Sequence, residues 1–173
     1  APRRVENVFD GVTSALYAAN CDFTYVDSQA LCEAKVVDDA LAHGGLRWRV
    51  MVLPAADTLP LEAWKNVAAF WRKGGVVIAI GPRPAQREVE LASRRVQAIT
   101  RQLFGTADAP CVVTNPAGGV GIMLPTGMFS LVPKIVDSLT ERDAACAESS
   151  RCVVRCDSRR PPSFCTGAIL GPG

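Results

Sequence analysis

The segment over residues 46–84, LRWRVMVLPAADTLPLEAWKNVAAFWRKGGVVIAIGPRP, constrains the fold more than any other part of the chain. Residues 50–53 and 76–80 are fully apolar runs with the length expected of strands buried inside a parallel sheet. The amphipathic stretch between them predicts a helix, so the segment forms one βαβ unit. It therefore predicts an α/β fold with a mostly parallel sheet.

The helix predicted over 61–73 has the clearest pattern in the sequence. Its apolar stripe consists of Leu61, Trp64, Val67, Ala68 and Trp71. These positions recur at helical spacing and predict a face that packs on a sheet. The Gly74-Gly75 pair follows, and glycine at this place favours a helix C-cap rather than a phosphate-binding loop.

Further helices and strands are predicted along the rest of the chain. Helices are predicted over 5–19, 29–34, 89–104 and 128–139, and strands over 22–26, 120–124 and 152–155. Residues 35–37 and 46–48 predict a small hairpin or excursion. We expect one domain over 1–157 and an irregular tail over 158–173, either a flexible terminus or a truncated or frame-altered end. The chain does not begin with methionine, which suggests a processed product or part of a longer protein.

Charge and hydropathy exclude several classes of partner. The formal net charge is +2, from 19 basic and 17 acidic residues, too balanced to predict binding to nucleic acid or to a membrane surface. A loose basic group is interrupted by Glu88 and Glu90, which is typical of a solvated helix face; it comprises Arg83, Arg87, Arg94, Arg95 and Arg101. We expect no signal peptide and no transmembrane segment, so the compartment is cytoplasmic by default.

Cysteine and histidine usage does not predict a metal site. The seven cysteines have irregular spacing and form no C-x-x-C pair, and His43 is the only histidine. We expect the cysteines to be free thiols that act as small buried hydrophobes. We assign no metal-ligating and no cofactor-binding residue.

No catalytic motif is present in the sequence. A nucleophile elbow would need Ser or Cys in a G-x-S-x-G-like turn, and Cys111 instead enters an apolar strand. His43 is predicted to be a solvated loop residue, and the glycine-rich 115–121 turn leads into a strand rather than a helix. The carboxylates near predicted strand ends or loops form no convincing acid–nucleophile pair; they are Asp27, Asp38, Asp39, Asp57 and Glu62. We therefore assign no catalytic residue.

The order of several short motifs resembles a known family. They are Tyr25-Val26-Asp27, Gly44-Gly45, Trp48-Arg49-Val50, Val52-Leu53-Pro54, Leu59-Pro60, Gly74-Gly75-Val76-Val77, Gly81-Pro82-Arg83-Pro84, Leu103-Phe104-Gly105 and Gly118-Gly119-Val120-Gly121. Over about 5–154 the chain resembles the non-catalytic α/β domain of large bacterial glycoside hydrolases of the α-L-rhamnosidase-like group. It is also similar to the β-galactosidase trimerisation domain.

The resemblance implies a fold and a function. The fold would be a three-layer sandwich like flavodoxin and the class I glutamine amidotransferases, without the amidotransferase nucleophile. The domain would have a structural or interaction role. It would lie next to a separate catalytic barrel and the β-domains of the parent hydrolase, and it could also form contacts between subunits of an oligomer. Two alternatives remain: a cysteine-dependent amidotransferase-like enzyme using Cys111, and a flavodoxin-like binder of a small anionic ligand.

Overall fold

The chain has an α/β fold built on one mixed, mostly parallel sheet. A computed structural model describes residues 2–55, 58–84, 93–140 and 152–155, with the backbone alone for 2–6, 140 and 152–155. The helices are α1 (Pro2–Ala18), α2 (Ser28–Glu33), α3 (Leu61–Arg72), α4 (Arg94–Phe104) and α5 (Val132–Thr140), the last preceded by a 3₁₀ turn at Phe129–Leu131. The strands are β1 (Phe23–Val26), β2 (Lys35–Val37), β3 (Ala40–His43), β4 (Leu46–Trp48), β5 (Val50–Pro54), β6 (Val76–Ile80), β7 (Cys111–Thr114), β8 (Val120–Leu124) and β9 (Cys152–Arg155).

The main sheet has the strand order β1-β9-β5-β6-β8-β7. All neighbouring pairs are parallel except β7 with β8, which is antiparallel. The predicted βαβ unit is confirmed, because β5 and β6 pair in parallel from Val50↔Val76 to Pro54↔Ile80 with α3 between them. The last described strand, β9, returns across the sheet and lies between β1 and β5.

Alternate residues of the central strands belong to two separate hydrophobic clusters. Val50 and Val52 pack with residues of α1 and α5, whereas Met51 and Leu53 pack with residues of α2, α3 and α4. Successive side chains of a strand point to opposite faces, so both faces of the sheet are covered. All of β5 and β6 is buried, which explains why both strands are apolar at every position.

The predicted helix α3 and its C-cap are confirmed. The helix buries Trp64, Val67 and Phe70 completely. Gly74 has φ +107° and its N–H donates to the carbonyl of Trp71, while the N–H of Gly75 donates to the carbonyl of Phe70. This pair of bonds is the Schellman arrangement, in which the left-handed residue is best supplied by glycine.

The small excursion between α2 and β5 is a three-stranded antiparallel sheet of β2, β3 and β4. Its inner residues Leu41 and Trp48 are buried in the same cluster as α3. The predicted loop position of His43 is wrong, because His43 pairs with Leu46 at the end of β3. Strand β3 is absent from the sequence prediction, because the aspartates before it and the glycines after it indicate a polar loop.

Some predicted features lie outside the described residues. These are the start of the helix predicted over 89–104, the tail over 158–173 and three of the seven cysteines. Of the remaining cysteines, Cys21 is buried, as predicted, whereas Cys32 and Cys111 are only half-buried. In the part of the chain that is described, no helix has the length and apolar character required to cross a membrane.

Replacing Trp64 by alanine should destabilise the protein strongly. The side chain is fully buried among apolar neighbours of α3 and the sheet, so the change removes a large apolar contact area and leaves a cavity. We expect a loss of about 3–5 kcal/mol in the free energy of unfolding, measured by denaturant titration. Lys65→Ala, on the exposed side of the same helix, is the matched control. A loss below about 1 kcal/mol for Trp64→Ala would contradict the packing.

Gly121→Ala should be destabilising because there is no room for a side chain. A Cβ on Gly121 would lie 1.8 Å from the carbonyl oxygen of Leu103 at the end of α4, so backbone would have to move. We expect a loss of at least about 2 kcal/mol by denaturant titration. Gly127→Ala is the control, since a Cβ there meets nothing within 4 Å. Equal stability of the two variants would show that α4 does not approach β8 so closely.

Candidate functional site

The carboxyl ends of the parallel strands form the edge of the sheet where a site is expected. Open α/β sheets bind ligands in the crevice outside the carboxyl ends of their strands. In this chain the residues that follow β1, β5, β6 and β8 are Asp27, Ala55, Gly81 and Pro125-Thr126. We refer to these residues together as the carboxyl edge.

The turns after β5, β6 and β8 lie side by side. The N–H of Ala55 donates to the carbonyl of Ile80 over 2.7 Å, and the N–H of Gly81 donates to the carbonyl of Leu124 over 2.9 Å. A Cβ on Gly81 would lie 3.5 Å from Ala55 Cα and 3.9 Å from Thr126 Oγ1. These three residues therefore form the centre of the carboxyl edge.

The backbone of Ala55 resembles that of a nucleophile elbow, but its side chain is inert. Ala55 follows a buried strand and has φ +47°, a left-handed conformation that is uncommon for residues other than glycine. Nucleophile elbows, which present catalytic Ser or Cys side chains in hydrolases, also have a strained residue directly after a strand, but their helix follows at once, whereas α3 begins only at Leu61. Here the position carries a methyl group that is 4% exposed, so it offers neither a hydroxyl nor a thiol.

Asp27 has a structural role at the same edge. Its Oδ1 accepts a hydrogen bond of 2.8 Å from the N–H of Ala30, and its own backbone is extended, which together make it the N-cap of α2. Its carboxylate is therefore engaged in starting a helix.

The other candidate carboxylates are dispersed. Asp38 pairs with Arg47 at 3.1 Å and Asp39 pairs with Arg49 at 2.7 Å, both at the small sheet. A third pair joins Glu62 to Lys65 within α3, at 2.6 Å. Asp57 lies outside the described residues. Within those residues, no group of three or more His, Cys, Asp or Glu side chains is placed to hold a metal ion.

Cys111 and His43 are not brought together. The Cys111 thiol donates to the carbonyl of Phe104 at 3.2 Å and lies 3.7 Å from that of Ala107, at the start of the edge strand β7. His43 lies on the small sheet, and no hydrogen bond within the described part of the chain joins the two. The arrangement that would activate a cysteine, a base in hydrogen-bond contact, is thus not formed by this pair.

The glycine-rich 115–119 turn uses its amides internally. Asn115 Oδ1 accepts from the N–H of Ala117 at 2.9 Å and of Gly119 at 3.0 Å, while its Nδ2 donates to the carbonyl of Trp71 at 2.7 Å. A phosphate cradle needs amides that point outward at a helix N-terminus. This turn instead ties the β7–β8 hairpin to the end of α3.

Arg83 is also engaged within the fold. Its guanidinium donates to the carbonyls of Gly105 and Ala107, the latter at 2.6 Å. Arg94, Arg95 and Arg101 are exposed on α4, and Arg87 lies outside the described residues. The basic group seen in the sequence is therefore not a single convergent site in the part that is described.

Sequence reasoning missed the centre of the carboxyl edge. Ala55 and Thr126 carry no motif, and a positive φ at alanine has no sequence signature. The one available signal was positional, since both residues follow predicted strands whose carboxyl ends share an edge.

Comparison with models of known protein families, with curated proteins and with solved structures found no match to this chain.

The capping role of Asp27 can be tested with two substitutions. Asp27→Ala removes the acceptor for the N–H of Ala30 and should lower the free energy of unfolding by about 1 kcal/mol in denaturant titrations. Asp27→Asn keeps a capping oxygen and should retain most of the stability. Equal losses for both variants would mean that the carboxylate charge, rather than the cap, is what the fold requires.

Proposed function

We propose that this chain is a non-catalytic structural or interaction domain of a larger bacterial glycoside hydrolase of the α-L-rhamnosidase-like kind. Its fold is then a three-layer sandwich of the flavodoxin and amidotransferase type. Its partners are the catalytic barrel and β-domains of the parent enzyme. The covering of both sheet faces by separate hydrophobic clusters supports the layered arrangement.

The observation that carries the proposal is the alanine at the elbow-like turn. Ala55 has a positive φ directly after a buried parallel strand, a feature it shares with nucleophile-bearing residues, yet its side chain cannot attack a substrate. An amidotransferase-like fold that has lost its nucleophile at this edge is what a non-catalytic domain of this kind requires.

The surface near the carboxyl edge also supports a contact with protein. The N–H of Met128 donates to the carbonyl of Pro125, so Met128 lies directly beyond the turn that contains Thr126. Met128 and Leu131 are 38% and 37% exposed, two of the six large apolar side chains that are exposed among the described residues. Exposed apolar side chains near this edge support a contact with protein more than the binding of a charged small molecule.

The purified chain should not hydrolyse aryl rhamnosides or aryl galactosides, and should not release ammonia from glutamine. The reason is the inert side chain at the elbow-like turn and the dispersed carboxylates of the described residues. Chromogenic glycoside and glutaminase assays at high enzyme concentration measure this. Cys111→Ser is the matched control for any glutaminase signal.

Turnover that survives repurification and disappears on mutation of one Asp or Glu would overturn the non-catalytic assignment. Glutaminase activity lost in Cys111→Ser would instead favour the amidotransferase alternative. The parent enzyme is tested separately by sequencing the DNA on both sides of the coding segment. A reading frame that continues into no glycoside hydrolase barrel would overturn that part of the proposal.

A further inference from the structure

The outer edge of β7 presents backbone groups without partners among the described residues. β7 is the last strand of the main sheet and pairs with β8 on one side only. It is antiparallel, so its residues alternate between those whose N–H and C=O face β8 and those whose N–H and C=O face away.

The register of β7 against β8 identifies which residues face away. The N–H of Asn115 donates to the carbonyl of Gly119, so hydrogen-bonded pairs recur every second residue at Val113↔Gly121 and Cys111↔Met123. The hydrogen bonds of β8 give the same alternation. The N–H of Val120 donates to the carbonyl of Gly75 and the carbonyl of Leu124 accepts from the N–H of Gly81, so these two residues of β8 face β6 rather than β7. The N–H and C=O groups of Val112 and Thr114 therefore point out of the sheet edge.

The side chains of this edge do nothing to block an approaching strand. Val112 is 64% exposed and Thr114 is exposed, while Cys111 and Val113 pack toward α4. The strand CVVT contains no charge and no proline, the usual devices that protect an edge strand from pairing. It is short, however, with Pro110 before it and Pro116 after it. The edge between these two prolines can therefore pair only with a strand segment that is equally short.

We propose that β7 is a self-association edge, on which β7 of a second copy of this chain pairs in antiparallel orientation. A two-fold axis at Val113 places Val112 opposite Thr114 of the second copy, and Thr114 opposite Val112 of that copy. Each of these two pairs exchanges both N–H···O bonds, which uses all the outward groups of both strands. A second copy is the occupant because its edge carries the same two residues at the spacing that this symmetry needs.

Sedimentation velocity of the full chain between about 5 and 500 µM tests the proposal, a range that covers the affinities of small interfaces. The expected result is a reversible monomer–dimer equilibrium. Thr114→Pro removes an outward N–H that has no partner among the described residues, and should weaken dimerisation by at least about tenfold. Thr114→Ala keeps that N–H and is its matched control.

A second variant and a second measurement test the same edge without introducing a proline, which could also affect folding. Val112→Lys places a charge on the exposed side of the edge and should also weaken dimerisation, whereas Tyr17→Lys, at an exposed site on α1, should not. Hydrogen exchange should slow at the amides of Val112 and Thr114 as the concentration rises. A chain that is monomeric throughout the range, or a dimer unaffected by both edge variants with no such protection, would overturn the proposal.

Discussion

The parallel pairing of β5 with β6 is the interaction on which the rest of the structure depends. Each of these strands is buried at all five positions, so neither can exist without covering on both faces. α3 provides that covering on one side and also connects the two strands. On the other side, α1 and α5 pack against the alternate residues. The remaining elements are therefore arranged around one βαβ unit.

Close backbone contacts then fix where β8 can lie. A Cβ on Gly119 would be 1.9 Å from the carbonyl oxygen of Trp71, and one on Gly121 would be 1.8 Å from that of Leu103. The hairpin that carries β7 and β8 thus lies directly against the ends of α3 and α4. Asn115 holds the same place by donating to the Trp71 carbonyl. The position of the sheet edge follows from these contacts.

The sequence predicted the locally encoded parts well. The α/β class, the βαβ unit, the C-cap at Gly74 and the strand at 152–155 all depend on residues close together in the chain, and each is confirmed. The position of β9 between β1 and β5 and the antiparallel direction of β7 depend on pairing between distant segments. Composition does not encode such pairing. The left-handed Ala55 was likewise missed, because tertiary packing imposes that conformation on a residue that disfavours it.

The polar side chains that could have performed chemistry instead hold the fold together. Asn66 donates to the carbonyls of Leu31, Cys32 and Ala34 and so joins the end of α2 to α3. Asp27 caps α2, and Arg83 holds the backbone after α4. These hydrogen bonds contribute to the stability of the fold. Among the groups that the described surface offers to another molecule are the outward main-chain groups of β7. Such groups are recognised by strand pairing with another protein segment, which agrees with the proposal of an interaction domain.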